Sequence, residues 1–183
     1  MRVLGISGSL RAESHNTALL RAAAAAAPAG VALELYEGLE SLPHYNEDLD
    51  TEQPPATVAA LRGLIEAADA VLISTPEYNG SIPGVLKNAV DWASRPRGEA
   101  ALLGKPVAVI GGSISDYGAI WAQDHLRRAL GIAGARVLDV ELPIGRVHER
   151  LDERGELDDP ETFTELERVW AGLLDRRQEL KAA

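Results

Sequence analysis

The chain predicts an α/β fold, a three-layer sandwich whose middle layer is a five-stranded parallel sheet in the order 2-1-3-4-5 with helices on both faces. Short apolar runs alternate with stretches of helical periodicity along the chain. Two of these runs, residues 70–73 and 106–110, are apolar almost without interruption, as strands buried on both faces must be. Strands separated by helices require right-handed crossovers and therefore lie parallel. The third observation is where the unusual chemistry falls. Residues 8–16, 75–82 and 111–118 each follow the carboxyl end of an expected strand and are rich in glycine, hydroxyl and amide groups. Sheets of this kind hold ligands beyond those ends, where strand order reverses, and in this order strands one and three flank that point.

The elements follow in order. Val3, Leu4 and Ile6 make a buried first strand that stops at Ser7-Gly8-Ser9. A helix resumes by Asn16, runs through Leu19, Leu20 and the alanines 22–27, and closes at Pro28 and Gly30; the alanine run is the strongest helix former available. Residues 31–36 alternate as strand two. Residues 37–55 hold Pro43, Pro54 and Pro55 and are too long for a routine connection, so they read as a functional lid or a partner-facing segment. Thr57 is placed to cap a helix with Val58, Leu61, Leu64, Ile65 and Ala68 on one side. Strand three is 70–73, and strand four, 106–110, ends in Gly111-Gly112-Ser113. A helix over 119–133 leads to strand five at 137–142. Asp159-Pro160-Glu161 starts the last helix, with proline at its first position and carboxylates near its positive end. No internal repeat occurs.

With 183 residues, the chain reads as a single domain, 1–183, large enough for a full core. It shows no long apolar run and no segment patterned as a signal peptide, and is expected in the cytoplasm. The absence of cysteine excludes disulfides, thiolate redox centres and cysteine-bound iron–sulfur clusters, so any redox chemistry has to belong to a bound cofactor. The 4 histidines (15, 44, 125 and 148) have no metal-ligand spacing and read as structural or surface groups, with no metal site. A net charge of -10 argues against nucleic acid or an anionic membrane as partner. It also means that an anionic ligand needs local positive charge, and Arg11 is the obvious source.

Residues 8–16 sit where a strand hands over to a helix N-terminus, whose unpaired N–H groups suit an anion. They match neither common nucleotide loop: Gly5 and Gly8 are present, but not the three-glycine dinucleotide spacing or the lysine of a P-loop. A serine-capped turn is the alternative reading. The second loop is more specific. Residues 74–92, STPEYNGSIPGVLKNAVDW, resemble nearly letter for letter the P-E-Y-N-G-S-x-P-x-x-L-K-N-x-x-D-W segment of the NADPH-dependent FMN reductase family. That family's G-S-x-R-x-x-S-x-N loop is matched by Gly8, Ser9, Arg11, Ser14 and Asn16, and the resemblance continues through residues 42–48 and 155–160.

The resemblance implies a flavodoxin-like fold, bound FMN, NADPH or NADH as co-substrate, a small-molecule electron acceptor such as a flavin or quinone, and a homodimer or homotetramer. The cofactor-binding set then comprises Ser9, Arg11, Ser14, Asn16 and Thr17 for the phosphate end, with Pro76, Glu77, Tyr78, Asn79, Gly80, Gly112 and Ser113 around the ring. Charged hydrogen bonds of about 1.5 to 3 kcal/mol each let a few donors outweigh the acidic background. The ring needs a flat apolar slot and backbone groups at its edge, and Gly80 allows a positive φ in the loop that supplies them. Tyr78 either covers the ring or is a partly exposed loop aromatic; Glu77 and Asn79 serve either the site or its turn. Leu86, Ala89, Val90 and Trp92 are core or subunit interface. Hydride transfer to a flavin requires no protein base, so no catalytic acid, base or nucleophile is assigned. Asp116 and Tyr117 depart from the family's commoner small, glycine-rich fourth loop, which leaves the choice of nicotinamide and acceptor open. A flavodoxin-like electron carrier without direct NAD(P)H oxidation is the alternative function.

Overall fold

The structure is a computed structural model and describes residues 1–182. Five strands lie in the order β2-β1-β3-β4-β5, all parallel: β1 (Arg2–Ser7), β2 (Ala32–Leu35), β3 (Ala70–Thr75), β4 (Pro106–Gly112) and β5 (Arg136–Val137). A short β6 (Pro143–Ile144) also pairs with β4. Helices α1 (His15–Ala25), α2 (Ala56–Ala67), α3 (Gly84–Ala93), α4 (Ile120–Ile132) and α5 (Pro160–Ala182) fill the crossovers and the C-terminal region. The flavodoxin-like strand order is as expected.

Two-residue periodicity divides the core between the faces. Leu4, Ile6, Val71, Ile73, Val107 and Val109 pack with Leu61, Leu86, Trp92 and Leu126 of α2, α3 and α4. Val3, Leu72, Ala108 and Ile110 face the other way, onto Leu19 and Leu20 of α1 and Leu166, Trp170 and Leu173 of α5. Burying each such large side chain stabilises the fold by about 1.5–3 kcal/mol. The alanine run has a packing purpose. Ala22 and Ala23 are small enough for α5 to come close, and Trp170 donates its indole N–H to the Ala23 carbonyl at 2.9 Å. Helix α1 ends at Ala25, ahead of Pro28.

Three expectations are corrected. The fifth strand does not run through 137–142. It pairs for two residues, leaves the sheet, and returns as β6 beside Gly111 and Gly112. In between, Arg127 donates to the Val140 carbonyl at 2.5 Å and pairs with Asp139 at 2.8 Å, so a side chain takes what a sheet neighbour would have taken. Thr57 is not a cap. Helix α2 begins after Pro55, whose carbonyl accepts from Val58 and Ala59, with no side-chain cap.

The third concerns the lid reading of residues 37–55, which are tied to α2 and α3 at Pro43, Tyr45 and Asp50; the partner-facing alternative is untouched by these contacts. The Pro43 carbonyl accepts from Asn88 at 2.9 Å and from the Trp92 indole at 2.8 Å, while Asn88 Oδ1 accepts from the Tyr45 amide at 2.7 Å. Asp50 pairs with Arg62 at 2.7 Å, and Arg62 also donates to the Trp92 carbonyl. Leu86 and Trp92 have no exposed surface and Val90 has 6%. These residues are therefore the protein's own core and not a subunit contact.

Candidate functional site

The carboxyl ends of β1, β3 and β4 meet at Asn16. Its Oδ1 accepts from Ser74 Oγ at 2.8 Å and from the Gly112 amide at 3.0 Å, and its Nδ2 donates to the Gly112 carbonyl at 3.0 Å. Asn16 is buried and thereby staples the first loop to the other two. Its amide serves chiefly to shape the site. Ser14 caps α1, its Oγ accepting from the Thr17 amide at 3.3 Å, so the capped turn and the anion loop are one structure. The hydroxyl hydrogen of Ser14 is still available, as are the His15 and Asn16 amides, which have no acceptor within the helix. Ser9 Oγ accepts from the Arg11 amide at 3.3 Å, and the exposed Arg11 guanidinium reaches the Glu13 carbonyl at 2.6 Å with donors to spare. Thr17 turns aside, donating to Ser7 Oγ at 2.8 Å.

The second loop is a tight reversal. Tyr78 and Ser81 exchange two backbone hydrogen bonds of 3.1 Å, and Asn79 (φ 53°) and Gly80 (φ 69°) occupy the left-handed region between them. Such a turn demands Gly or Asn at its centre. Asn79 and Gly80 thus serve the turn. Glu77 accepts from the Ala122 amide at 3.1 Å in the first turn of α4, where a carboxylate satisfies a free N–H. Tyr78 is left 54% exposed.

The fourth-strand loop is braced from the side by β6 and the residues after it. Ser113 donates to Ile144 and accepts from Val147, Ser115 accepts from the Arg146 amide at 2.9 Å, and the Arg146 side chain lies 3.3 Å from Asp116. Gly145 has no room for a side chain, since a Cβ there would stand 2.4 Å from the Asp116 carbonyl oxygen. Tyr117 stacks on Trp121 with ring centres 4.9 Å apart, both exposed to solvent.

These three loops enclose a cavity of about 270 Å³ lined by Ser9, Arg11, Ser14, Asn16, Pro76, Glu77, Tyr78, Gly112 and Ser113. Thr17, Asn79 and Gly80 lie outside its lining. Two further residues line it that the sequence reading did not place there, His15 and Ile114. His15 had a signal, its position beside the cap; the exposed Ile114 had only its place in the 111–118 loop. Partial burial, then the charges of Arg11 and His148, hold the His15 pKa below its ordinary 6.5. One end of the cavity is thus donor-rich and positive, while Pro76, Tyr78 and Ile114 give the other apolar surface. That donor set fits a phosphate joined to a flat ring system, as in FMN. Among the described residues, no group of three or more His, Cys, Asp or Glu could hold a metal, and no helix is long and apolar enough to cross a membrane.

The family described as NADPH-dependent FMN reductase matches residues 1–149, which include all three loops. The chain belongs to the NADPH-dependent FMN reductase family. It is 44% identical over 158 residues to an NAD(P)H-dependent FMN reductase of Pseudomonas aeruginosa, covering 86% of this chain and 84% of that one. It is 37% identical over 182 residues to a 2-hydroxy-1,4-benzoquinone reductase of a Burkholderia species, covering 97% and 98%. Among solved structures it is similar to FerB, a flavoenzyme NAD(P)H:(acceptor) oxidoreductase of Paracoccus denitrificans, with a TM-score of 0.84, 36% identity and 97% of each chain covered.

Proposed function

We propose that this family member is an FMN-dependent NAD(P)H oxidoreductase that carries electrons from a reduced nicotinamide to a small acceptor, a flavin or a quinone. The observation that carries this reading is the cavity at the β1/β3 switch point, where a donor-rich loop around Arg11 faces the apolar Pro76–Tyr78 edge. Reductases among the chain's relatives support it.

Arg11, Ser9 and Ser14 hold the FMN phosphate, helped by the His15 and Asn16 amides. Pro76 to Tyr78 and Gly112 to Ser113, which line the rest of the cavity, would flank the ring and help to exclude water from it. When bound, FMN supplies the hydride-accepting and hydride-donating chemistry. The protein's part is orientation, so the cavity needs no residue acting as base. Since the three loops provide one cavity for the ring, donor and acceptor would use it in turn, a ping-pong arrangement. Exposed Tyr78 and Ile114 at the cavity, and the exposed Tyr117–Trp121 pair on the fourth-strand loop and the start of α4, are apolar surface of the kind that a second subunit covers, which supports assembly as a homodimer or homotetramer. Dependence on NAD(P)H, a reductant of the cell interior, supports a cytoplasmic location.

The test is an absorbance spectrum of the purified protein with FMN, before and after anaerobic NADPH, followed by a quinone. A yellow protein bleached by the nicotinamide and recoloured by the quinone is expected. A yellow protein that NAD(P)H leaves unchanged would instead be a one-electron carrier of the flavodoxin kind.

A further inference from the structure

The outer side of α1 carries positive charge that the FMN cavity does not use. A cleft of about 410 Å³ lies between α1 and residues 148–155, and Arg11, Arg21, Arg154, His15 and His148 border it. Arg11, Ser14 and His15 line this cleft and the cavity proposed for FMN alike, so the two adjoin at the start of α1. Among the described residues, Arg11, Arg21 and Arg154 form no ion pair with any carboxylate. What sets these three apart from the other unpaired cations is that they border one cleft together.

Acids do border the cleft, namely Glu13, Asp152 and Glu153. Asp152 is occupied: its Oδ1 accepts from the Arg154 amide at 2.8 Å and the Glu156 amide at 2.9 Å, building the turn that carries Arg154. That turn is anchored by a bridge between Leu151 and Leu157 and by the Arg150–Asp159 pair at 2.6 Å. Arg154 is therefore carried on a built support and has no carboxylate partner. The cleft's field is felt at its edge, where Arg11 and His148 join burial in disfavouring a charged His15. A second cleft of about 330 Å³, on the β2 side of Arg11, also has Arg21 on its wall but sets Glu37 and Glu40 against it.

We propose that the cleft between α1 and residues 148–155 is a second phosphate site, which takes the 2′-phosphate of NADPH and uses Arg21 and Arg154 to select NADPH over NADH. This rests on the reading of the protein as an NAD(P)H oxidoreductase. The 2′-phosphate is the one group that distinguishes the two nucleotides. As a phosphomonoester it is close to dianionic at neutral pH, and arginine matches its oxygens in a two-pronged fashion. A nicotinamide at the mouth of the FMN cavity leaves the rest of the dinucleotide to run past Arg11, and the adjoining cleft has the volume of an ordinary small-molecule site.

The test uses the FMN-loaded protein. Calorimetric titration with 2′,5′-ADP, with 5′-AMP and with inorganic phosphate reads the cleft directly, without turnover. We expect 2′,5′-ADP to bind at least about tenfold more tightly than 5′-AMP, and that margin to disappear in the double variant Arg21→Ala, Arg154→Ala. In steady-state kinetics the same variant should lose at least about tenfold in its ratio of kcat/KM for NADPH to that for NADH, with Arg21→Lys, Arg154→Lys recovering part of it. Both side chains are exposed, and an unchanged melting temperature confirms the fold. Equal binding of 2′,5′-ADP and 5′-AMP, or a ratio unmoved by the double variant, overturns the proposal. So does inorganic phosphate binding as tightly as 2′,5′-ADP, which would make the cleft a free-phosphate site. Failure of NADPH to bleach the flavin would count against the oxidoreductase reading, whereas the 2′,5′-ADP titration judges the cleft by itself.

Discussion

Among the described residues, Arg11 is the one arginine or lysine that lines the cavity proposed for FMN, and it is held by one carbonyl and no carboxylate. Arg11→Ala should therefore weaken FMN binding by roughly ten- to a hundredfold, the worth of a charged hydrogen bond, without unfolding the apoprotein. A flavin titration unchanged by the substitution would remove the phosphate from this loop. Asn16 was legible as a site residue but not in its role. A motif gives spacing along the chain, whereas the partners of Asn16, Ser74 and Gly112, are 58 and 96 residues away. His15 supplies a second expectation at this scale. Burial, Arg11 and His148 hold its pKa below 6.5 in the free protein, with Arg21, Arg154, Glu13, Asp152 and Glu153 also around it. A bound phosphate reverses the sign of its nearest charge, so NMR titration should find the His15 pKa low in the apoprotein and raised on FMN binding. A value that does not move would place the phosphate elsewhere.

Among the elements, α5 has the clearest start in the sequence and the structure keeps it: Asp159 accepts from the Thr162 amide at 3.0 Å, with Pro160 opening the helix. The same carboxylate holds Arg150 and so the turn bearing Arg154. Burial alone would raise the Asp159 pKa, but hydrogen bonds from Thr162 and Arg150 and the Arg150 charge together outweigh it and hold the pKa below 3.8. A lowered carboxylate pKa means that the unfolded chain binds its proton first as pH falls. The stabilisation is thus present above 3.8 and is lost as pH falls through the folded value. Asp159→Ala should cost about 1 kcal/mol at neutral pH, as loss of a helix cap does, and the difference from the parent in denaturant unfolding should shrink toward acid. A gap of constant size down to the acid transition would show that the carboxylate is not what stabilises this end. Helices announce their starts locally, and so α5 was legible. Strand five was not, because its interruption depends on Arg127 reaching the Val140 carbonyl from another element. The pinning of residues 37–55 was hidden for the same reason: its partners Arg62, Asn88 and Trp92 lie on α2 and α3.

For the molecule as a whole, alternating periodicity gave the parallel α/β class, three chemically loaded loops pointed to one end of the sheet, and the flavodoxin-like strand order followed from the family resemblance. Assembly was not readable, because an apolar helix face looks alike whether it covers a core or a subunit. Trp92 and Leu86 proved to be core, while Tyr117 and Trp121, on a loop and a helix start without apolar periodicity, form the exposed rim. The rim bears on mechanism. The three loops line the cavity proposed for FMN, Asn16 and the β6 brace fix their spacing, and no residue of the 37–55 segment, which is tied down at Pro43, Tyr45 and Asp50, is in its lining. On the ping-pong reading proposed above, nicotinamide and quinone occupy the same open face in turn, without a ternary complex. Varying NAD(P)H at several fixed quinone concentrations should give parallel double-reciprocal lines, each substrate inhibiting competitively against the other when in excess. Intersecting lines would require both substrates to be bound together. In that case a partner subunit seated on the Tyr117–Trp121 rim would have to supply the second site, and the pattern should revert to parallel lines in a variant such as Trp121→Glu that sedimentation shows to be monomeric.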